Sequence, residues 1–148
     1  MSHYPDNIFP GMVANRAAEF PDFKVLTIEG AGVRPDEVRT YRQLWNNGQR
    51  MAQAMLDLGI APGERVALLM ANHAEFVEAM VAAGIVGAAV VPIDPRTKGD
   101  KLHFMLTSSQ CSAAIAADYA LPHLQPLRER LPGLRWAMAF ATDEGDRP

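Results

Sequence analysis

Four apolar runs of strand length recur at an even interval, and this rhythm constrains the chain more than any other feature. They read VALLM over 66–70, AAVVPI over 88–93, CSAAIAA over 111–117 and LRWAMAF over 134–140. Their centres fall near residues 68, 91, 114 and 137, about 23 residues apart, the length of one strand, one helix and two short loops. Each gap carries a helical pattern. In the first, Asn72 and Glu75 repeat a capping spacing before a stripe of Phe76, Val77, Met80, Ala83 and Gly84. In the second, Leu102, Met105 and Leu106 share a face between Gly99 and Thr107. In the third, Leu121, Leu124, Leu127 and Leu131 form a stripe that Pro132 and Gly133 end. Strands alternating with helices make parallel pairs joined by right-handed crossovers. The expected fold class is therefore α/β, a parallel sheet with βαβ crossovers on both faces. Runs without polar alternation suit strands covered on both sides, and the first two are expected to be buried.

The chain ahead of this march is organised differently. Residues 1–22 read as an irregular lead-in with one short helix, in which Ile8, Met12, Val13, Ala17 and Phe20 fall roughly at helical spacing. Phe23–Glu29 is strand-like, 30–36 is a turn rich in glycine and proline, and Val38–Tyr41 is placed to pair back as a hairpin arm. Thr40 and Gln43 have the spacing of a capping box. Leu44, Gly48, Met51, Ala52, Met55 and Leu58 then fall on one helical face, and Gly59 is placed to end the helix in a left-handed conformation. The reading is an α/β subdomain over 23–141, with a polar tail or linker over 142–148. A chain of 148 residues buries about 68–70% of its unfolded surface, enough for a real core.

Composition narrows the function classes. A net charge of −3, with arginines scattered and only Arg128 and Arg130 close together, argues against a nucleic-acid partner. Cys111 is the only cysteine; it can form no intrachain disulfide or cysteine-based metal site and reads as a buried structural thiol. The start, MSHYPDNIFPGM, has no basic segment followed by an apolar one. The apolar stretch 76–91 is interrupted by Glu78 and by glycines, so no transmembrane segment is expected. The default location is the cytoplasm.

Motifs that would carry chemistry are missing. No Gly-x-Gly-x-x-Gly, Walker loop or Gly-x-Ser-x-Gly elbow occurs, and the only lysines are Lys24, Lys98 and Lys101. His3, His73, His103 and His123 lack metal-ligand spacing, and surface or capping roles are expected for the last three. Asp94 stands at the C-terminal end of a strand, where parallel sheets place ligands. It would either contact a hydroxyl or a basic partner, or bond its own backbone in a turn between Pro92 and Pro95. Asp100 and Lys101 open a helix, where a carboxylate suits the dipole. Met51, Met55, Met70, Met80 and Met105 read as core filler.

Several pieces taken in order carry a resemblance. TYRQL at 40–44 opens a long helix, LGIAPGERVALLMANHAEFVEAM follows at 58–80, then GIVGAAVVPIDPR at 84–96 and KLHFMLTSSQCSAAI at 101–115. This order and spacing resemble the N-terminal part of the adenylate-forming enzymes: acyl-CoA synthetases, peptide-synthetase adenylation domains and luciferases. Glu64 stands where that family usually has Asp. The resemblance covers roughly residues 7–140, and it implies that the Pro92/Pro95 stretch is structural, turning the chain out of its strand.

The resemblance implies an enzyme that activates a carboxylic acid with ATP and Mg to an acyl-adenylate and passes the acyl group to a thiol, usually coenzyme A. The family's phosphate loop and catalytic lysine lie downstream of the stretch matched here. No catalytic, cofactor-binding or metal residue is therefore assigned; the fragment is expected to be inactive and to bind none of these cofactors. Its expected partners are a small carboxylic acid for the parent enzyme and the missing downstream subdomains of the same chain, with a homodimer possible. The competing reading is a truncated, non-catalytic α/β homologue acting as a binding module. A third is an unrelated flavodoxin-like domain, for which MANHAEF at 70–76 makes a poor phosphate loop.

Overall fold

A computed structural model describes residues 5–143 and 147–148. The expectations for the lead-in, for His3 and for the tail extend onto 1–4 and 144–146, outside the described residues. The chain divides into two compact units, Met1–Gly59 with Asn72–Gly87, and Ile60–Ala71 with Ala88–Pro148.

The first unit holds three helices, α1 (Phe9–Glu19), α2 (Tyr41–Asp57) and α3 (Ala74–Val86), and a hairpin of β1 (Lys24–Ile28) and β2 (Glu37–Thr40). The hairpin is antiparallel, with Ile28 opposite Glu37 and an irregularity between Lys24 and Leu26. Its loop is tied by the Gly30 N–H, which donates to Asp36 Oδ1 at 2.9 Å. The capping box at α2 forms as the spacing predicts. The Gln43 N–H donates to Thr40 Oγ1 at 3.2 Å, and the Thr40 N–H donates to Gln43 Oε1 at 2.9 Å, so two orphan donors of the first turn are satisfied. Leu44, Gly48, Ala52 and Met55 are buried, and Gly59 adopts a φ of 85°. Leu58 leaves the predicted stripe: it caps the helix and is 46% exposed. A Cβ on Gly48 would stand 2.5 Å from Val81 Cγ1, so the approach of α2 to α3 requires a residue without a side chain there.

Helix α3 departs from the sequence reading. Its N-cap is His73, one residue past Asn72, and no side chain caps it. The buried residues are Ala74, Glu78, Ala79, Val81, Ala82, Ala83 and Val86, whereas Phe76 and Val77 are half-buried and Met80 is exposed, not core filler. The helix is apolar nearly all round, so its sequence period does not reveal which side faces the protein.

The second unit is a four-stranded parallel sheet of β3 (Arg65–Leu69), β4 (Ala89–Ile93), β5 (Cys111–Ala117) and β6 (Trp136–Phe140), ordered β4-β3-β5-β6. Central β3 runs in register Val66↔Val90 with β4 and Val66↔Ala113 with β5. Val66–Leu69 and Ala113–Ala117 are buried without a break, as a central position demands. Helix α4 (Gly99–Ser108) sends Leu102 and Leu106 into a core shared with Leu69, Ile93, Ala114, Leu124, Leu127 and Leu131. The expectation of a buried second strand fails: in β4 only Ile93 is buried, because β4 is an edge.

The predicted leucine helix over 121–131 is a single α-turn, α5 (Leu121–Leu124), running into a 3-10 turn over Gln125–Arg130. Pro126 has no N–H to continue the α ladder, so the chain tightens instead. Leu124, Leu127 and Leu131 still reach the core. Glu64 joins separate parts of this unit. Its carboxylate receives both Arg135 Nη atoms at 2.6 and 2.8 Å and the Ala61 N–H at 2.7 Å, and its carbonyl accepts the Ala89 N–H at 2.9 Å.

Candidate ligand edge of the parallel sheet

In an open parallel sheet, the crevice beyond the carboxyl ends of the strands opens where connections leave in opposite directions. Here β3 connects onward to β4 on one side, and β5 lies on the other, so the switch falls between β3 and β5. The residues that leave these ends are Ala71, Asp94, Asp118, Tyr119 and Thr142.

The crevice is closed by its own side chains. The Ala71 N–H, just past β3, donates to Tyr119 Oη at 2.8 Å. Asp118, just past β5, accepts the Thr142 N–H at 3.1 Å and the Thr142 hydroxyl at 2.5 Å. These two bonds hold its carboxyl below the usual range. At β4, Asp94 accepts the Arg96 N–H at 2.9 Å, Arg96 Nε at 3.0 Å and Arg96 Nη2 at 2.7 Å. The Arg96 guanidinium, then its backbone amide, bring the Asp94 pKa to about 2. Asp94 thus meets both of its predicted descriptions: it bonds backbone in a turn, and its basic partner is two residues away. Both aspartates are held ionised and paired, so neither is poised to move a proton near neutral pH.

The other candidates stand apart from this edge. Asp100 pairs with Arg130 Nη2 at 3.0 Å across exposed surface. His103 Nε2 lies 3.1 Å from the carbonyl oxygen of Arg130. His123 is half-buried in α5, and Lys24, Lys98 and Lys101 are exposed. Cys111 is buried, and burial pushes its thiol upward in pKa, the inert state expected of it. His73 corrects the surface reading: it is 3% exposed at the start of α3. Among the described residues, no group of three or more His, Cys, Asp or Glu is placed to hold a metal.

Sequence reasoning missed a charge cluster in the first unit. Arg39 Nε donates to Glu78 Oε1 at 2.8 Å, Asn47 Nδ2 donates to the same oxygen at 2.7 Å, and Arg39 Nη2 reaches Glu37 Oε1. The Glu78 side chain is only 5% exposed. Beside it, burial raises the pKa of the Glu75 carboxyl, with Glu37 and Glu78 adding to the shift. The available signal was Glu78 itself, one carboxylate inside an otherwise apolar helix, which requires a buried partner.

Comparison with known proteins adds the lineage. The family described as AMP-binding enzyme matches residues 13–144. A dimodular nonribosomal peptide synthase of Bacillus subtilis is 31% identical over 110 residues, 68% of this chain and 5% of that protein. A long-chain-fatty-acid–CoA ligase of Mycobacterium tuberculosis is 32% identical over 117 residues, 79% of this chain and 22% of that protein. The structure of a Mycobacterium tuberculosis fatty acyl CoA synthetase superposes with a TM-score of 0.79 at 28% identity, over 90% of this chain and 26% of that one. The chain therefore spans about a quarter or less of these relatives' length.

Proposed function

Since this chain belongs to the AMP-binding enzyme family, we propose that it is the N-terminal portion of an ATP-dependent carboxylate–CoA ligase, one that forms an acyl-adenylate and then an acyl-CoA thioester. The observation that carries this reading is the superposition on a fatty acyl CoA synthetase over 90% of the chain. The substrate is a small carboxylic acid, the family's chemistry implies ATP, with Mg and coenzyme A as its companions, and the working location is the cytoplasm. No helix among the described residues is long and apolar enough to cross a membrane.

The side chains at the sheet edge do not fit a nucleotide triphosphate. Arg96 is committed to Asp94, and Asp118 to Thr142, where a triphosphate needs cationic or backbone donors turned toward it. The residues here build the frame: Tyr119 closes the crevice between β3 and β5, and Asp118 fixes the chain as it leaves β6. The proposal is that the 148-residue chain alone does not activate a carboxylate.

Two experiments test this. Pyrophosphate release by the pure chain, with ATP and a panel of carboxylic acids, is expected to stay at background; robust turnover refutes the inactive frame. The coding sequence beyond codon 148 is expected to continue into a Ser/Thr/Gly-rich segment with a lysine, and a stop codon there refutes the ligase reading. The peptide-synthase similarity favours a second reading, an adenylation domain serving a carrier protein. Acyl transfer by the longer product to coenzyme A supports the first, and transfer only to a carrier protein the second.

A further inference from the structure

We propose that the outer edge of β6 is a strand-accepting site, taken by an extended segment of the same polypeptide that follows residue 148. The inference rests on the reading of this chain as the N-terminal portion of a longer enzyme. The sheet's two outer strands are not alike. At β4, the Ala89 N–H points inward to the Glu64 carbonyl, so strand alternation turns Val90 and Pro92 outward. Pro92 therefore occupies an outward position and offers no N–H there, a common way to close an edge.

The β6 edge has no such device. The Arg135 N–H points inward to the Ser112 carbonyl at 2.8 Å, which turns the N–H and C=O of Trp136 and Met138 outward. The strand, WAMAF, carries no charge and no proline, and its pairing with β5 runs without a bulge. An uncharged, unbulged apolar edge of this kind is a ready template for another strand. A second observation lies on the same strand: Trp136 Nε1 is buried with no acceptor, whereas a buried indole N–H ordinarily has one.

Two facts select the occupant. After β3, the chain places β4 on one side and then β5 and β6 successively outward on the other, so the next strand added in sequence lies beside β6. The relatives continue for three or more times the length matched here. A second copy of this chain would bring only another five-residue edge.

The test is residue-resolved amide hydrogen exchange at Trp136 and Met138, in the 148-residue chain and in the longer product of its coding sequence. Exchange at both amides is expected to be at least about tenfold slower in the longer protein. Equal exchange in a longer protein that still activates a carboxylate overturns this inference and leaves the ligase reading standing. A coding sequence that stops at 148 overturns both. Protection of the same amides in a concentration-dependent dimer of the short chain overturns the assigned occupant. A Met138→Pro variant adds an independent readout. It removes only an outward N–H, so the melting temperature of the short chain is expected to hold while the longer protein loses stability; an equal effect on both overturns the proposal. If the variant fails to fold, the exchange comparison decides.

Discussion

In the first unit, a guanidinium and a carboxylate meet inside the protein: Arg39 and Glu78, with side chains 17% and 5% exposed. In the second unit, the core around Leu102 and Leu106 is wholly apolar apart from Cys111, and the ion pairs stand outside it. Arg96 and Asp94 are 71% and 49% exposed, Arg130 and Asp100 51% and 90%. The difference follows from architecture. A parallel sheet satisfies its backbone internally and can fill its centre with Ala, Val, Leu and Ile. A short hairpin set against helices brings a polar strand, EVRT, to an apolar helix, and it buries Arg39 on the one carboxylate that α3 offers. A buried pair of this kind is costly to break and adds little over apolar packing, whereas an exposed pair is cheap in both directions.

The largest effect should come from breaking the buried pair. Glu78→Ala leaves Arg39 with Glu37 alone, strips the Asn47 amide of its acceptor and opens a gap in α3. A loss of about 4 kcal/mol in urea unfolding is expected. The Arg39→Met/Glu78→Leu double variant should lose clearly less than Glu78→Ala, because no buried charge is then left unpaired. A double variant as unstable as the single one would show that the pair contributes stability in its own right.

Next is the apolar core of the second unit. Leu102 is fully buried, and Leu102→Ala should cost about 3 kcal/mol by lost transfer energy plus the cavity left behind. If this loss exceeded that of Glu78→Ala, the contrast between a charge-bearing and an apolar interior would have no energetic weight. Below it stands Gly48→Ala. The added methyl would meet Val81 Cγ1 at 2.5 Å, so helix–helix overpacking should cost about 2 kcal/mol, outweighing the better helix propensity of alanine. A stabilised variant would mean that α2 and α3 can part without loss.

The same contrast explains which parts were legible in the sequence. Strands β3 and β5 announced themselves, because central parallel strands are apolar without a break and nothing competes with that signal. The Thr40–Gln43 capping box was legible because both partners lie within one turn. Strand order was not. Nothing in AAVVPI says that it lies at an edge, although Pro92 is the residue that suits one. Helix α3 was misregistered because a helix apolar all round hides both its face and its first residue. The sheet-edge contacts of Tyr119 with Ala71 and of Asp118 with Thr142 join residues 48 and 24 positions apart; no local spacing predicts them. Asp94 was found because strand–Pro–x–Asp–Pro is local, and its partner Arg96 is local too.

The smallest effect concerns acid, and here the two units have opposite signs. In the second unit, the Arg135 guanidinium, then the Ala61 amide, hold the Glu64 pKa at about 2, below its ordinary 4.5. A depressed carboxyl contributes stability that is present above pH 4.5 and is lost as pH falls toward 2. In the first unit, burial raises the Glu75 pKa above 4.5; its contribution is present below 4.5 and is lost as pH rises through the raised value. Acid therefore weakens the Glu64 clip while relieving the cost of burying Glu75. Glu64→Gln should lower the melting temperature modestly at pH 7, with the gap from the unaltered chain closing between pH 4.5 and 2. Glu75→Gln should show the reverse: least difference at low pH, and a gain in stability at pH 7. A gap for Glu64→Gln that stays constant down to pH 2 would mean that the clip acts through shape and not through charge.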